Sequence, residues 1–285
     1  GCGLSFATYP LLPPEDSVLP YVDIEGFKTE LEKLCQTQDK VMTWLNDPAH
    51  NPTGLSISAD GRMAILDAVM ESANRNEAVG HTLLLDAAYH LYAEEPHGWA
   101  ETLTEALENG MPWPENLLIT FSVSLSKSHT VYGLRTGALV SLHPDSAVTE
   151  RIGTVMGVTG RQTWSAAPRI AQYTVSTMHA DEQSGAAWEK ERDRLRDLLV
   201  TRRNTLNEAC SKLGVPLNPT MDGFFAWIES DDPTALAEAC AEQNVFLVPL
   251  TGGVRIGLCA VPLSQIPRVA EALAKATQKG AYTLV

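Results

Sequence analysis

Four short apolar runs, each cut off by polar or turn residues, do most to limit what this chain can become. Val41 to Leu45 stops at Asn46-Asp47-Pro48, Thr82 to Leu85 at Asp86, Leu117 to Val123 at Ser124, and Thr136 to Leu142 at His143-Pro144. The last three are of the kind that forms strands buried on both faces. Between the runs lie stretches of helical periodicity. Asp23 to Cys35 carries Phe27, Leu31 and Leu34, and a segment that Ser58 or Asp60 can cap runs to about Asn76 with Met63, Ile65, Leu66, Val69 and Met70. Strand and helix alternating at this spacing predict an α/β fold built on a mainly parallel sheet. Upstream, Gly3 to Leu12 is expected to add a short strand running into Pro10-Leu11-Leu12-Pro13-Pro14.

From about Pro168 the texture becomes long and helical. Trp188 to Leu213 is charged and holds Leu195, Leu198, Leu199 and Leu206, which reads as a helix between domains. The remainder predicts a small C-terminal α+β domain: strands at Gly223 to Glu229, Val245 to Pro249 and Val254 to Cys259, with helices at Pro233 to Gln243 and Leu263 to Lys275. The expected division is a large domain over 1–185 and a small one over 186–285, and the length of 285 residues is ample for both cores.

Composition removes several classes of function. With 21 Lys+Arg against 35 Asp+Glu, the net charge of −14 lacks the basic footprint of a nucleic-acid or anionic-membrane binder. Nothing approaches the roughly 20 apolar residues that a bilayer span needs. The five cysteines are odd in number, scattered and never in a C-x-x-C pair, so reduced thiols and a cytoplasmic location are expected. No H-x-x-x-H pair, G-x-S-x-G string or Gly-rich dinucleotide loop occurs, and no metal is expected.

The chemistry concentrates in Ser124-Leu125-Ser126-Lys127-Ser128-His129-Thr130-Val131-Tyr132-Gly133-Leu134-Arg135. A lysine directly after a buried strand, with hydroxyls at 124 and 126 and an arginine where the loop returns, can surround one phosphorylated aldehyde. Schiff-base chemistry needs that set: an amine of lowered pKa and an anchor for the phosphate. Two further strings follow strand ends, Asn51-Pro52-Thr53-Gly54 and Asp86-Ala87-Ala88-Tyr89. Singly they read as a Pro turn and a helix-capping Asp. In this order, with the S-x-S-K string, they are far more specific.

Together with Arg161-Gln162-Thr163-Trp164-Ser165, Gly223-Phe224-Phe225-Ala226-Trp227 and Val254-Arg255-Ile256-Gly257, these strings make the chain resemble the fold-type I pyridoxal-phosphate (PLP) aminotransferases, in particular the class I aspartate/aromatic group. The resemblance implies the aspartate aminotransferase-like fold and PLP as cofactor. It makes Lys127 the lysine that holds PLP as an internal aldimine and moves the proton at Cα. Asp86 would pair with the pyridinium nitrogen, Asn51 and Tyr89 would donate to the phenolic oxygen, and Ser124 and Arg135, with Ser126 beside them, would hold the phosphate. Arg255 would bind the substrate α-carboxylate, and Arg161, reaching across a homodimer interface, the side-chain carboxylate.

The implied reaction is transamination of aspartate, glutamate or an aromatic amino acid with a 2-oxo acid such as 2-oxoglutarate. A PLP lyase or decarboxylase shares Lys127 and Asp86, and a non-catalytic PLP-domain module shares the fold, so both stay open. Relatives carry an N-terminal segment with the first large-domain strand and a phosphate-binding helix N-terminus. Gly1 to Leu12 corresponds to a strand beyond those elements, so the sheet is expected to be incomplete at its N-terminal part. Smaller departures are His90 and Tyr92 after the D-x-x-Y string and Ser128-His129 after the lysine.

Overall fold

A computed structural model describes residues 6–9, 11, 22–218 and 222–278. They fall into two compact units. One holds the described residues of Gly1–Asp47, Ile57–Ala88 and His97–Ser176; the other holds those of Pro48–Ser56, Tyr89–Pro96 and Thr177–Val285.

The first unit is built on a four-stranded sheet of β1 (Lys40–Asn46), β2 (Gly80–Asp86), β3 (Leu117–Ser124) and β4 (Gly137–Leu142), in that spatial order. β1, β2 and β3 are parallel and β4 is antiparallel to β3, so the expected mainly parallel sheet is present. Helices α1 (Ile24–Cys35), α2 (Ala59–Arg75) and α3 (Gly98–Glu108) supply the layer that covers one face. Val41, Leu45, Leu83, Leu85, Leu117 and Ile119 share a core with Phe27, Leu31, Ile65, Leu66, Val69, Trp99 and Leu103. On the opposite pleat of β1, Met42 and Trp44 are 56% and 60% exposed. The helix starts follow ordinary capping chemistry, since Asp23 accepts from Gly26 N–H and Ser58 from Gly61 N–H.

Two buried polar clusters tie this layer together. Asp47 accepts from Ile57 N–H at 2.7 Å and from Trp99 Nε1–H at 2.8 Å, while Arg62 donates to Ile57 O at 2.7 Å. Arg62 Nε also donates to Thr102 Oγ1 at 3.3 Å, so these buried donors meet acceptors as a dry interior requires. In the second cluster His81 Nδ1 lies 2.9 Å from the Val79 carbonyl, which makes that nitrogen the protonated one. Nε2 then accepts from Ser72 Oγ at 3.1 Å, with Cys35 Sγ 3.4 Å away. Burial pushes His81 down and Cys35 up in pKa, so both are neutral at pH 7.

Some expectations are corrected here. β4 is exposed over almost its whole length rather than buried on both faces, because among the described residues it is the edge strand of the sheet, paired with β3 alone. Helices α4 (Leu125–Ser128), α5 (Ser146–Thr163) and α6 (Arg169–Ala180) follow in the chain. α5, like α3, was not anticipated; Gly153, Gly157 and Gly160 dilute its periodicity, and it has no buried side chain. A groove of about 410 Å³ runs between it and β4, lined by Leu139, Ser141, Ile152, Met156 and Trp164. Of the strand expected over Gly3 to Leu12, Phe6–Tyr9 and Leu11 are not strand and the rest lies outside the described residues. Tyr9 instead donates to Trp44 O at 3.2 Å and packs edge-on against Phe27.

The second unit carries the 32-residue α7 (Glu182–Leu213), then β5 (Phe225–Glu229), α8 (Pro233–Ala241), β6 (Val248–Leu250), β7 (Gly253–Gly257) and α9 (Ile266–Gln278). Its sheet is antiparallel in the order β5-β7-β6. Leu206, Ile228, Leu236, Ile256, Leu258, Ile266 and Leu273 are buried in it, which gives the expected small α+β arrangement. Gly214 ends α7 at φ 68°, where a left-handed residue closes the last turn.

Replacing Leu83 by Ala should cost about 2–5 kcal/mol of unfolding free energy, whereas Met42→Ala should stay within about 0.5 kcal/mol. Urea unfolding of both variants checks which pleat is the core; equal losses would refute the assignment.

Candidate functional site

The residues singled out by sequence fall into one set per unit. In the first unit the connection from β3 to β4 carries the amine. Ser124 ends β3, and Leu125 N–H bonds to Thr136 O at 3.1 Å, closing the loop at its base. Within it Lys127 sits on the short helix α4, with Nζ 5.7 Å from the centroid of the Tyr132 ring. Arg135 adopts φ 49°, ψ 48°, a left-handed conformation that costs a non-glycine residue on the order of 1 kcal/mol. That turn is held by Arg135 Nη1, which donates to Tyr132 O at 2.9 Å and reaches Ser126 Oγ at 3.5 Å. Ser126 itself is buried. A guanidinium and a hydroxyl thus lie side by side one residue from the lysine. Ser128 donates to Ser124 O at 3.2 Å and pairs with His129 Nδ1 at 2.7 Å.

Asp86 closes β2 in the same unit. Its Oδ1 accepts from Ala88 N–H at 3.2 Å, and its carbonyl accepts from Asn46 Nδ2 at 2.8 Å. The carboxylate therefore stands at the carboxyl end of a parallel strand, the usual location for ligand groups in α/β sheets.

The second unit holds Asn51, Tyr89 and Arg255. Arg255 is on β7, cross-strand from Trp227. Its guanidinium stacks 4.5 Å over the Phe225 ring and donates through Nη1 to Asn51 Oδ1 at 2.9 Å. This bond assigns the amide orientation: Oδ1 is turned to the arginine, so Nδ2, the donor end, points the other way. The Asn51-Pro52 peptide is cis. Gly54 has φ 71°, and a Cβ there would collide with the Phe225 carbonyl, so the turn accepts only glycine. The buried Tyr89 ring packs edge-on against Phe224 and Phe225, with centroids 5.3 and 5.8 Å apart. His50 Nδ1 lies 2.8 Å from Thr53 Oγ1, and burial pushes its pKa down to about 4.

Arg161 stands apart. It lies exposed in the last turn of α5, and no hydrogen bond joins it to the other predicted residues among those described. Tyr132, beneath the lysine, and Phe225, beneath the arginine, lie inside the motif strings yet give no sign of these positions in the sequence. Asp222, whose Oδ2 accepts from the Ser56 hydroxyl at 2.6 Å, gives no such sign either. Asp222 directly precedes one of those strings, but an isolated Asp before Gly carries no signal of its own.

What the two sets offer is chemically definite. Arg135 and Ser126 can bind a phosphate, Lys127 can condense with an aldehyde, Asp86 can hold a proton on a basic nitrogen, and Arg255 can grip a carboxylate. Among the described residues, no three His, Cys, Asp or Glu side chains group to hold a metal, and no helix is long and apolar enough to cross a membrane.

Residues 1–273 match the profile of a family described as "Aminotransferase class I and II". An aromatic-amino-acid aminotransferase of Pseudomonas aeruginosa is 25% identical over 279 residues, which is 96% of this chain and 63% of that one. Among solved structures, an aminotransferase from Anaerococcus prevotii superposes with a TM-score of 0.83 at 26% identity, covering 90% of this chain and 61% of that one. An aromatic-amino-acid aminotransferase from Burkholderia pseudomallei, covalently bound to pyridoxal phosphate, gives a TM-score of 0.71 at 23% identity over 90% and 60% of the two chains. The chain therefore spans about three fifths of the length of these relatives.

A neutral His50 contributes stability that is fully present above its unfolded value of about 6.5 and is lost as the pH falls toward 4. An NMR titration should show the His50 ring shifts unchanged from pH 7 to pH 5.5; a midpoint near 6.5 would contradict the burial.

Proposed function

The chain belongs to the class I and II aminotransferase family, and from that premise we propose that the protein it represents is a PLP-dependent aminotransferase exchanging the amino group of aspartate, glutamate or an aromatic amino acid with a 2-oxo acid such as 2-oxoglutarate. The observation that carries this reading is the β3–β4 loop, where Lys127 is one residue from the Ser126–Arg135 pair. Pyridoxal phosphate, when bound, supplies an aldehyde for the amino group and a ring that withdraws electrons from the neighbouring carbon. The donor set fits it.

Each side chain then has a distinct task. Arg135 and the hydroxyls of Ser124 and Ser126 hold the phosphate, the guanidinium engaging two oxygens at once. Lys127 would hold the aldehyde end of the cofactor and, when its amine is free, would take the proton from the substrate Cα through Nζ. Asp86, at the end of β2, would pair with the ring nitrogen and favour its protonated form. Asn51 Nδ2 and the Tyr89 hydroxyl donate to the phenolic oxygen and favour its ionised form. Arg255 binds the α-carboxylate; Phe225 beneath it and Asn51 beside it hold the guanidinium in one orientation. For Arg161 we propose the side-chain carboxylate of a dicarboxylic substrate bound in a second subunit. Its exposure on α5 supports that role, and with it a homodimer. A neutral side chain would leave one buried cation unpaired, which is the basis of the dicarboxylate preference.

Purified chain incubated with pyridoxal phosphate and desalted should keep a visible absorption band that bleaches when L-glutamate or L-phenylalanine is added. Lys127→Ala should keep no such band, and its retention in that variant would sink the reading. In steady-state assays Arg255→Ala should raise the KM for both amino acid and oxo acid by about 10- to 100-fold, because each has the same carboxylate. An unchanged KM would remove Arg255 from the site.

A further inference from the structure

Residue 222 draws together segments distant in sequence. Asp222 is 7% exposed, and each of its polar groups has a partner within the second unit. Its Oδ2 accepts from the Ser56 hydroxyl at 2.6 Å and its Oδ1 from Glu94 N–H at 2.9 Å. The Asp222 N–H donates to Gly54 O at 2.9 Å, and Gly223 N–H to Tyr92 O at 3.1 Å. From α7, the buried Arg203 donates to the carbonyls of Asp222 and Gly223. Gly223 has φ 68°, and a Cβ there would lie 2.7 Å from Ala49 Cβ, so residues 222–223 sit directly against the 48–56 segment.

These partners matter because of what their segments carry. Residues 48–56 bear Asn51 and residues 89–96 bear Tyr89, the two proposed donors to the phenolic oxygen. We propose that Asp222 is a positioning residue, a single buried carboxylate whose two oxygens hold the Asn51 and Tyr89 segments in place at the start of β5. The inference rests on the reading of Asn51 and Tyr89 given above.

Carboxylate chemistry is required for this task. Ser56 Oγ already accepts from Ala49 N–H at 2.9 Å, so its one hydrogen goes to Asp222. Glu94 N–H needs an acceptor too. In an asparagine the one acceptor oxygen can still take Glu94 N–H, but Ser56 then faces a neutral amide. Its hydroxyl must turn to accept, which loses the charge-assisted bond that holds the 48–56 segment. A buried carboxylate needs compensation, and it comes from these donors together with the nearby positive charge of Arg203. Burial pulls Arg203 down only to about 10, so that charge persists at neutral pH.

Hydrogen exchange of the full chain tests the clamp directly. In Asp222→Ala, amides of 49–56 and 89–96 should both exchange at least about tenfold faster, while those of β2 and β3 keep their protection. Asp222→Asn should loosen one segment and spare the other, and Ser56→Ala should loosen 49–56 alone. The last two variants decide the matter even where Asp222→Ala unfolds. Wild-type exchange in both segments of Asp222→Asn, or loosening of both by Ser56→Ala, would overturn the proposal. With pyridoxal phosphate bound, the pH midpoint of the absorption band should rise by about one unit in Asp222→Asn, as weakened donors to the phenolic oxygen require. A purely structural role would leave that midpoint where it is and so overturn the positioning claim. A wild-type chain that retains no pyridoxal phosphate would defeat the transaminase reading, whereas the exchange results would still decide the clamp.

Discussion

The parallel register of β1, β2 and β3 is the constraint from which the chemistry of the first unit follows. Trp44 pairs with Leu84 and Leu84 with Thr120, and with Asn46 opposite Asp86 and Asp86 opposite Ser122, β1 and β2 end level while β3 runs two residues further to Ser124. Parallel strands cannot be joined by tight turns. The steps from β1 to β2 and from β2 to β3 are therefore crossovers that begin at the same end of the sheet, and the loop from β3 to the antiparallel β4 leaves from that end too. The strings that begin at Asp86 and Ser124 therefore start from neighbouring strand ends although about 40 residues separate them in sequence. The register is enforced by the covered face, since a slip of one residue would turn Leu83, Leu85, Leu117 and Ile119 out of the core.

Backbone conformation does much of the remaining work. Arg135 is held left-handed by its own side chain, whose bond to Tyr132 O offsets part of the conformational cost. Gly54 and Gly223 take left-handed φ where neighbouring backbone or side chains leave no room for a Cβ. These positions sit beside proposed ligand groups, where locally unfavourable geometry tends to be retained because the surroundings over-determine it.

Legibility in the sequence tracked burial and local spacing. β1, β2, β3, α1 and α2 could be read because their apolar residues recur at strand or helix period, and Ser58 caps where capping rules put it. α5 could not be read, since Gly153, Gly157 and Gly160 interrupt its helical period and none of its side chains is buried. The exposed course of β4 was missed for a different reason: an apolar run signals burial only when something covers it. Within the candidate site, Lys127, Arg135 and Ser126 share a twelve-residue loop and were visible together. The Asn51–Arg255 bond spans 204 positions and the Asp222 partners lie 128 and 166 positions away, so only the folded chain brings those groups into contact.

The edge formed by β4 and α5 has a colloidal consequence. Leu139, Val140 and Leu142 on the strand, and Val155, Met156, Val158 and Trp164 on or just after the helix, make an apolar strip beside a strand edge that no other strand among the described residues pairs. Such an edge invites strand addition by a like chain. Opposing it is the repulsion of fourteen excess negative charges, which acts over a Debye length of about 30 Å in 10 mM salt but only about 3 Å at 1 M. Raising the salt concentration therefore weakens the repulsion while leaving the apolar strip in place, and the chain disperses best at low ionic strength.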